Sequence, residues 1–524
     1  MELHLSRDTV DEIQSYLQTN DLGGYFVYTE EGSDPYAEKV AEVSNSWPAA
    51  FYIPAQGDAV AFVSHAEAGA VEQTGVFDEV KAWNSYSEFN GYIGKALDSA
   101  AGPVVIDASS DDSRTDYLSH SSYEDITGLT SSADFKGADG MWDSVGYVKA
   151  REKTITASDA TRSTRLDQLA AGVKKAGADV LVMLSGIGQA ADIITTYTLG
   201  RADDERSAVI VKSDGEKVAL VSSADVSNIS TGTFDRVLTY DDSVQFKSVL
   251  ENELDGSSKV LYNPEITQGN YELLEKASSG NLSSADGLFF DVRKAKTSEE
   301  IADIRKAVDI TKDVVEQVID TIDVGTTEKE IYDRVMEEWE KRGLDPSFTP
   351  LVAIGENAAN IHHLIPTDRD AKKGDVILID LGCQLPSGMC SDITYMVYMG
   401  EKPTDDVLAM DEAMDKAIYA AVDELNVGSR GYEADRAARG VLKKAGYADF
   451  RHGTGHALGF TVHDLGNGVS SRATKAFEAG EVVTVEPGIY IEGWGGFRKE
   501  IDVVITEDGP VMLNEPAKLV CKKV

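Results

Sequence analysis

Two stretches of the chain push an acid to the end of an apolar run. "GDVILIDLG", Gly374 to Gly382, carries Asp380, and "GEVVTVEPG", Gly480 to Gly488, places Glu486 at the matching position. Each stretch passes through a turn and returns with a second acid, Asp392 in "SDITYMVYMG" and Glu500 in "RKEIDVVIT". A carboxylate at the end of a buried strand is costly unless something pairs with it, and a cation is the obvious partner. Four carboxylates brought together would hold four negative charges, which two divalent ions neutralise and protonation relieves only in part. The matched places of these residues therefore point to a dinuclear metal centre.

Five of the eight histidines lie in the same third of the chain: His362 and His363 in "GENAANIHH", and His452, His456 and His463 in "RHGTGHALGFTVHDLG". The spacing of four between His452 and His456 is that of helical zinc motifs, but Gly453 stands where such a motif needs its glutamate, and Gly453 and Gly455 disfavour a helix. A zincin is excluded. Clustering beside glycines that admit close backbone approach favours a role in the site for His456 and His463 over that of satisfied structural histidines.

A duplication positions these residues. "VGTTEKEIYDRVMEEWEKRG" from Val324 and "VGSRGYEADRAARGVLKKAG" from Val427 read as helices that end in a capping glycine, at an offset of 103, and the two acid-bearing strands recur at an offset of 106. Helix and strand thus repeat as a unit, which implies two halves about a pseudo-twofold axis with Asp380 and Glu486 facing each other. Upstream, Thr297 and Glu300 have capping-box spacing, and Ile301, Ile304, Val308, Val315 and Ile319 form an apolar face, so a long helix opens this domain.

The preceding half repeats itself as well. "VDEIQSYLQTNDLGGYFVY" from Val10 is echoed from Leu166, "GDAVAFVSHAE" from Gly57 by "GEKVALVSSAD" from Gly215, and "FDEV" at Phe77 by "FDRV" at Phe234, at offsets of 156 to 158. Each copy reads as helix, strand, polar turn and strand, giving two tandem α/β modules. Basic linking segments, "YVKAREKT" and "VRKAKTSEE", set the boundaries: 1–155, 156–292 and 293–524.

Composition narrows the partners. Ninety Asp and Glu against 49 Lys and Arg give a net charge of -41, which opposes contact with nucleic acid or anionic lipid. Acid spread over the whole chain suggests a surface suited to concentrated salt, where like-charge repulsion is screened. Three cysteines, Cys383, Cys390 and Cys521, are too few for a disulfide scaffold and fit a reducing cytoplasm. No segment has the apolar length of a membrane span, and the N-terminus reads as an amphipathic helix rather than an export signal.

The motifs "GENAANIHH", "DLG" followed by "SDIT", "HGTGHALGFTVHD", "VEPGIY" and "RKEID" resemble, in order, those of the pita-bread metallopeptidases, the superfamily of methionine aminopeptidase, prolidase and Xaa-Pro aminopeptidase. The two preceding modules resemble, in layout, the creatinase-type N-terminal domain present twice. The fold implied is α/β (α+β): a pita-bread catalytic domain with an internal pseudo-twofold, preceded by two tandem creatinase-like domains. Carried over by motif, the metal ligands fall on Asp380, Asp392, His456, Glu486 and Glu500, with Asp392 and Glu500 bridging two divalent ions. Manganese is the first expectation, with cobalt, zinc and iron as alternatives. The resemblance makes Glu486 the proton acceptor, sets His362 and His463 on the substrate, and brings Arg498 close to the metals and His452 to the pocket wall. The turn between Asp380 and Asp392 is one residue longer than the family pattern, Tyr395 replaces a common arginine, and His363 replaces a common aromatic.

The activity implied is that of a cytoplasmic homodimeric Xaa-Pro aminopeptidase, which removes the N-terminal residue from peptides with proline second. Prolidase is the near alternative, followed by a hydrolase of small cyclic amides and by an inactive binding protein on the same fold. Methionine aminopeptidase lacks two such N-terminal modules, and creatinase dispenses with metals.

Overall fold

The computed structural model describes residues 7–29, 36, 48–65, 67–110, 113–145, 153–185, 193–202, 205–361, 363 and 366–523. Residues 147–152 of the first basic linking segment and His362 lie outside the described residues. The chain forms two compact units, Met1–Leu288 and Phe289–Val524.

The first unit contains the same build twice. Helix α1 (Arg7–Thr19), which buries Val10, Ile13 and Leu17, leads into strands β1 (Gly24–Thr29), β2 (Ala49–Pro54), β3 (Val60–Ser64), β4 (Glu79–Trp83), β5 (Val104–Ile106) and β6 (Phe135–Gly137). These form one sheet in the order β4-β3-β2-β1-β5-β6. Helix α2 (Asp159–Lys175) leads into β7 (Val180–Ser185), β8 (Ser207–Lys212), β9 (Lys217–Ser222), β10 (Arg236–Tyr240), β11 (Lys259–Tyr262) and β12 (Asn281–Ser284), in the order β10-β9-β8-β7-β11-β12. In both sheets the three strands nearest the repeat's start pair antiparallel and the outer neighbours pair parallel. The sequence repeats display only two strands about the polar turn. Strands β2 and β8 escape a pattern search because they are buried on both faces, which erases the period of two.

In the second unit α3 (Ser298–Asp320) opens with the expected capping box: Glu300 N donates to Thr297 Oγ1 (3.3 Å) and Thr297 N to Glu300 Oε2 (2.7 Å). Its buried stripe is Ile304, Val308, Val315 and Ile319 with Val314 and Val318, while Ile301 is half-buried. Helices α4 (Glu328–Arg342), α5 (Asp405–Val422) and α6 (Gly431–Lys444) follow. The glycines that close the duplicated pair α4 and α6, Gly343 and Gly446, have φ of 63° and 94°, where a Cβ would be strained.

Strands β13 (Leu351–Ile354), β14 (Val376–Leu381) and β15 (Ile393–Tyr398) pair antiparallel. In the second half β16 (Val482–Val485) pairs antiparallel with β19 (Ile501–Thr506), and a hairpin of β17 (Gly488–Ile491) and β18 (Gly495–Arg498) stands between them. One apolar core joins the halves: Leu378 and Met396 share it with Val483 and Val503, with Met414 and Ile418 of α5, and with Ala438 and Leu442 of α6. Among the described residues no helix is long and apolar enough to cross a membrane.

Candidate active site

Register brings the acids together. Asp380, next to last in β14, lies opposite Thr394 in β15, and Asp392 stands just before β15. Val485 lies opposite Ile501, so Glu486 leaves β16 beside Glu500 as it enters β19. Alternation along the extended run from the end of β18 into β19 is informative: Arg498, Glu500 and Asp502 turn one way, while Lys499 reaches Asp411 and Asp415 of α5 at 2.5 and 2.7 Å. The histidine-bearing loop lies directly on β16 because Gly455 has no side chain. A Cβ there would meet the Thr484 carbonyl oxygen at 1.9 Å. Thr484 N donates to His456 O (2.9 Å), Glu486 N to Thr454 O (2.8 Å) and His456 N to Thr484 Oγ1 (3.1 Å), which fixes the imidazole beside the carboxylates.

Asp392, His456 and Glu500 each offer a ligand atom within 4.8 Å of the others. His456 Nε2 is 3.4 Å from Asp392 Oδ2 and 4.0 Å from Glu486 Oε1. Its Nδ1 lies 3.2 Å from the Ala457 carbonyl, which selects the tautomer that donates there and leaves the Nε2 lone pair facing carboxylate oxygens. Burial, reinforced by His463, pushes His456 down to about 3, so the ring is neutral and ready to ligate. Burial first, and then repulsion from Glu500 and Asp380, pushes Asp392 well above the usual carboxylate range, and burial with repulsion from Asp380 and Glu486 does the same to Glu500. Glu486 is pushed up to about 7, again by burial, with Arg498 pulling down and Asp380 adding to the rise. Asp380 Oδ1, Asp392 Oδ1, Glu500 Oε1 and Asp502 Oδ1 are buried and accept no hydrogen bond. Orphaned anionic oxygens around a neutral imidazole fit a divalent cation, the one partner that would satisfy them together.

A second network ties the site to its wall. Arg498 donates through Nη2 to Asp380 Oδ2 (2.5 Å), through Nη1 to the Tyr490 hydroxyl (3.0 Å) and through Nε to Thr394 Oγ1 (3.4 Å). Thr394 in turn donates to Glu500 Oε2 (2.8 Å). The Tyr490 hydroxyl is 2.9 Å from His452 Nε2, while His452 Nδ1 sits 2.7 Å from Gly453 O and 3.8 Å from Glu486 Oε2. Asp502 Oδ2 accepts from Asp392 N at 3.2 Å. His463 is exposed and sets its ring edge-on to His456, the centroids 4.3 Å apart. The next residue, Asp464, anchors this loop: Arg293 reaches Oδ1 at 2.7 Å and Lys296 reaches Oδ2 at 2.9 Å, with all three side chains at most 2% exposed. Burial alone would push Asp464 up, but the Lys296 ammonium and the Arg293 guanidinium outweigh it and hold the carboxyl low.

The expected residues Asp392, His456 and Glu500 converge, Glu486 stands beside them, and Asp380 is engaged by Arg498. His452 lines the same wall. His363, which stands where an aromatic is common in the family, sits 2.8 Å from the buried Glu328 of α4. Sequence reasoning passed over Thr394, Tyr490, Asp502 and Asp464. Asp502 was within reach, since it follows Glu500 by two on one strand, whereas Thr394 and Tyr490 matter through cross-strand register that composition does not display. Arg293 and Lys296 read as linker charges, yet they are the buried counter-ions of Asp464.

A centre in which acids outnumber their counter-charges and one neutral imidazole faces them is that of a metal-dependent hydrolase. Residues 302–507 match metallopeptidase family M24, and the chain belongs to that pita-bread family. It is 31% identical over 314 residues to an uncharacterized peptidase of Staphylococcus saprophyticus, covering 58% of this chain and 86% of that one. Among solved structures it resembles the X-Pro aminopeptidase of Thermotoga maritima (TM-score 0.61, 26% identity, 69% of this chain and 100% of the other). It likewise resembles a prolidase of Thermococcus sibiricus (TM-score 0.60, 27% identity, 70% of this chain and 100% of the other).

Proposed function

We propose that the protein is an Xaa-Pro aminopeptidase, a metal-dependent exopeptidase that removes the residue preceding a second-position proline. The observation that carries the reading is the set of orphaned oxygens on Asp380, Asp392 and Glu500 around the lone pair of His456. In this reading Asp380, Asp392, His456, Glu486 and Glu500 hold two divalent ions, manganese first among the candidates, in a catalytic domain that follows two creatinase-like modules, 1–155 and 156–292. Bound there, such ions supply Lewis acidity and lower the pKa of water.

The chain's own residues do the rest. Glu486 takes the proton from the attacking water and passes it to the leaving nitrogen. Arg498 steadies Asp380 and, through Thr394, Glu500, so that neither rotates away as charge develops. His362 and His463 are assigned to the substrate, where together they steady the tetrahedral intermediate and the leaving nitrogen. A homodimer, and a surface that needs concentrated salt, complete the reading.

The test is hydrolysis of Ala-Pro, Ala-Pro-Ala and Met-Ala-Ser in high salt with manganese or cobalt, together with metal analysis of the purified protein. Release of alanine from Ala-Pro-Ala supports the aminopeptidase. Cleavage of Ala-Pro alone would favour a prolidase, the reading to which the Thermococcus likeness lends weight. Bound metal without release from any peptide would overturn both.

A further inference from the structure

The two sheets of the first unit provide an internal control. Register aligns them position by position: Tyr52 lies opposite Val60 and Phe62 opposite Lys81 in the first, Ile210 opposite Val218 and Leu220 opposite Leu238 in the second. The helices over this face correspond too. Tyr86–Asp98, capped by Ser85, buries Phe89, Ile93 and Leu97, and Ser243–Leu254, capped by Asp242, buries Phe246, Leu250 and Leu254.

In the second copy the seam between helix and sheet is closed by four charges. Arg236 donates to Glu216 at 2.8 Å and to Glu253 at 2.9 and 2.6 Å, and Lys212 pairs with both glutamates at 2.9 and 3.0 Å. The residues at those four positions in the first copy are Glu79, Asp58, Ala96 and Pro54. That set holds no cation, so the network has no counterpart. A cavity of about 620 Å³ opens at this seam, and Pro54, Asp58 and Ala96 line it.

The lining has changed in a consistent direction as well. Tyr52, Phe62 and Tyr92 line the cavity where the second copy has Ile210, Leu220 and Val249, and Lys81 and Lys95 stand where it has Leu238 and Asn252. Phe62 and Tyr92 are stacked with centroids 6.2 Å apart. Asp21 and Asp58 bring the opposite charge to the same rim. A patch that only had to be buried would have kept the aliphatic lining of its twin, whereas aromatic walls with cations and anions at the rim suit a ligand with an apolar body and two charged ends.

We propose that this cleft is a second peptide site, which holds a short zwitterionic peptide with its side chain on Tyr52, Phe62 and Tyr92, its carboxylate at Lys81 and Lys95, and its ammonium at Asp21 and Asp58. The existence of the site rests on the duplication, and the choice of a peptide rests on the peptidase reading. Its test uses the full chain in chelator, which keeps the probe whole, and the photoreactive tripeptide Ala-Pro-benzoylphenylalanine, with adducts mapped by mass spectrometry. Saturable labelling is expected within residues 48–65 or 86–101, and it falls at least about tenfold when the closing network is transplanted as P54K, D58E, E79R and A96E. Hydrolysis of Ala-Pro-Ala by this variant stays unchanged. Lys95→Asn, at an exposed position, gives a smaller loss and serves if the fourfold variant folds poorly.

Labelling that does not saturate in these segments would overturn the proposal. So would labelling that survives both variants, or equal labelling by the probe with acetylated and amidated ends. Because the adducts are scored apart from hydrolysis, failure of the peptidase reading and failure of the site give different results.

Discussion

Removing the carboxylate of Asp464 leaves Arg293 and Lys296 charged, 2% and 0% exposed, and without the acid that both reach. Breaking a buried ion pair from one side costs about 3–5 kcal/mol, because the charge left behind has lost its water as well as the partner carboxylate. Phe460 N and Leu465 N also lose their acceptor, at 3.0 and 2.8 Å, a loss contained within that figure. For a unit of this size each kcal/mol lowers the melting temperature by about 2–4 °C, so Asp464→Ala lowers it by about 6–20 °C. Calorimetry of the full chain in chelator reads the shift, and hydrogen exchange at the Phe460 and Leu465 amides reports whether the loop that carries His463 has come loose. Replacing all three residues together, as Arg293→Met, Lys296→Met and Asp464→Leu, recovers most of the loss, since no charge then remains buried. A shift below about 2 °C for Asp464→Ala, or a triple variant no better than the single, would refute the reasoning. The pH dependence has a definite sign. Asp464 is held below its ordinary value of 3.8, so its contribution is present above about pH 4 and is lost as pH falls, and the gap between wild type and Asp464→Asn narrows in acid.

Gly455→Ala drives a Cβ into the Thr484 carbonyl, displaces His456 and weakens metal binding about 10–100-fold in a chelator competition; unchanged affinity would contradict the placement of the loop. Tyr490→Phe removes the hydroxyl between Arg498 and His452 at a cost of about 1–3 kcal/mol, and lowers kcat about 5- to 150-fold with metal content intact, as read by steady-state kinetics beside metal analysis. Raising potassium chloride from about 0.1 to about 3 M raises the melting temperature by screening the net charge of -41, and a flat or falling profile would count against salt adaptation.

Much of the centre was legible because duplication acts as its own control. A lone acid in so acidic a chain carries little information, but Asp380 and Glu486 recur at an offset of 106 beside helices that recur at 103, and in the folded site the Asp380 carboxylate is close enough to act on Glu486. What escaped notice depends on distances across the chain. Arg293 and Asp464 are far apart in sequence, and only folding reveals a buried pair where composition displays a basic linker. Strands β2 and β8 escaped for a different reason, since burial on both faces leaves no alternation to read.

The alternation of Arg498, Glu500 and Asp502 with Lys499 carries a consequence for how such a chain can vary over evolutionary time. Adding or losing one residue within that run would swap every side chain to the opposite face, sending an ammonium into the pocket and the acids toward α5, so length there is frozen. The turn from Cys383 to Ser391 is held at its base, by Cys383 and Gln384 pairing with Pro346 and Asp345 and by the bridge from Gln384 to Cys390, so a residue added between Leu385 and Met389 leaves Leu381 opposite Ile393. Insertions among relatives of this chain are expected to collect in that turn rather than in the run from Arg498 to Asp502.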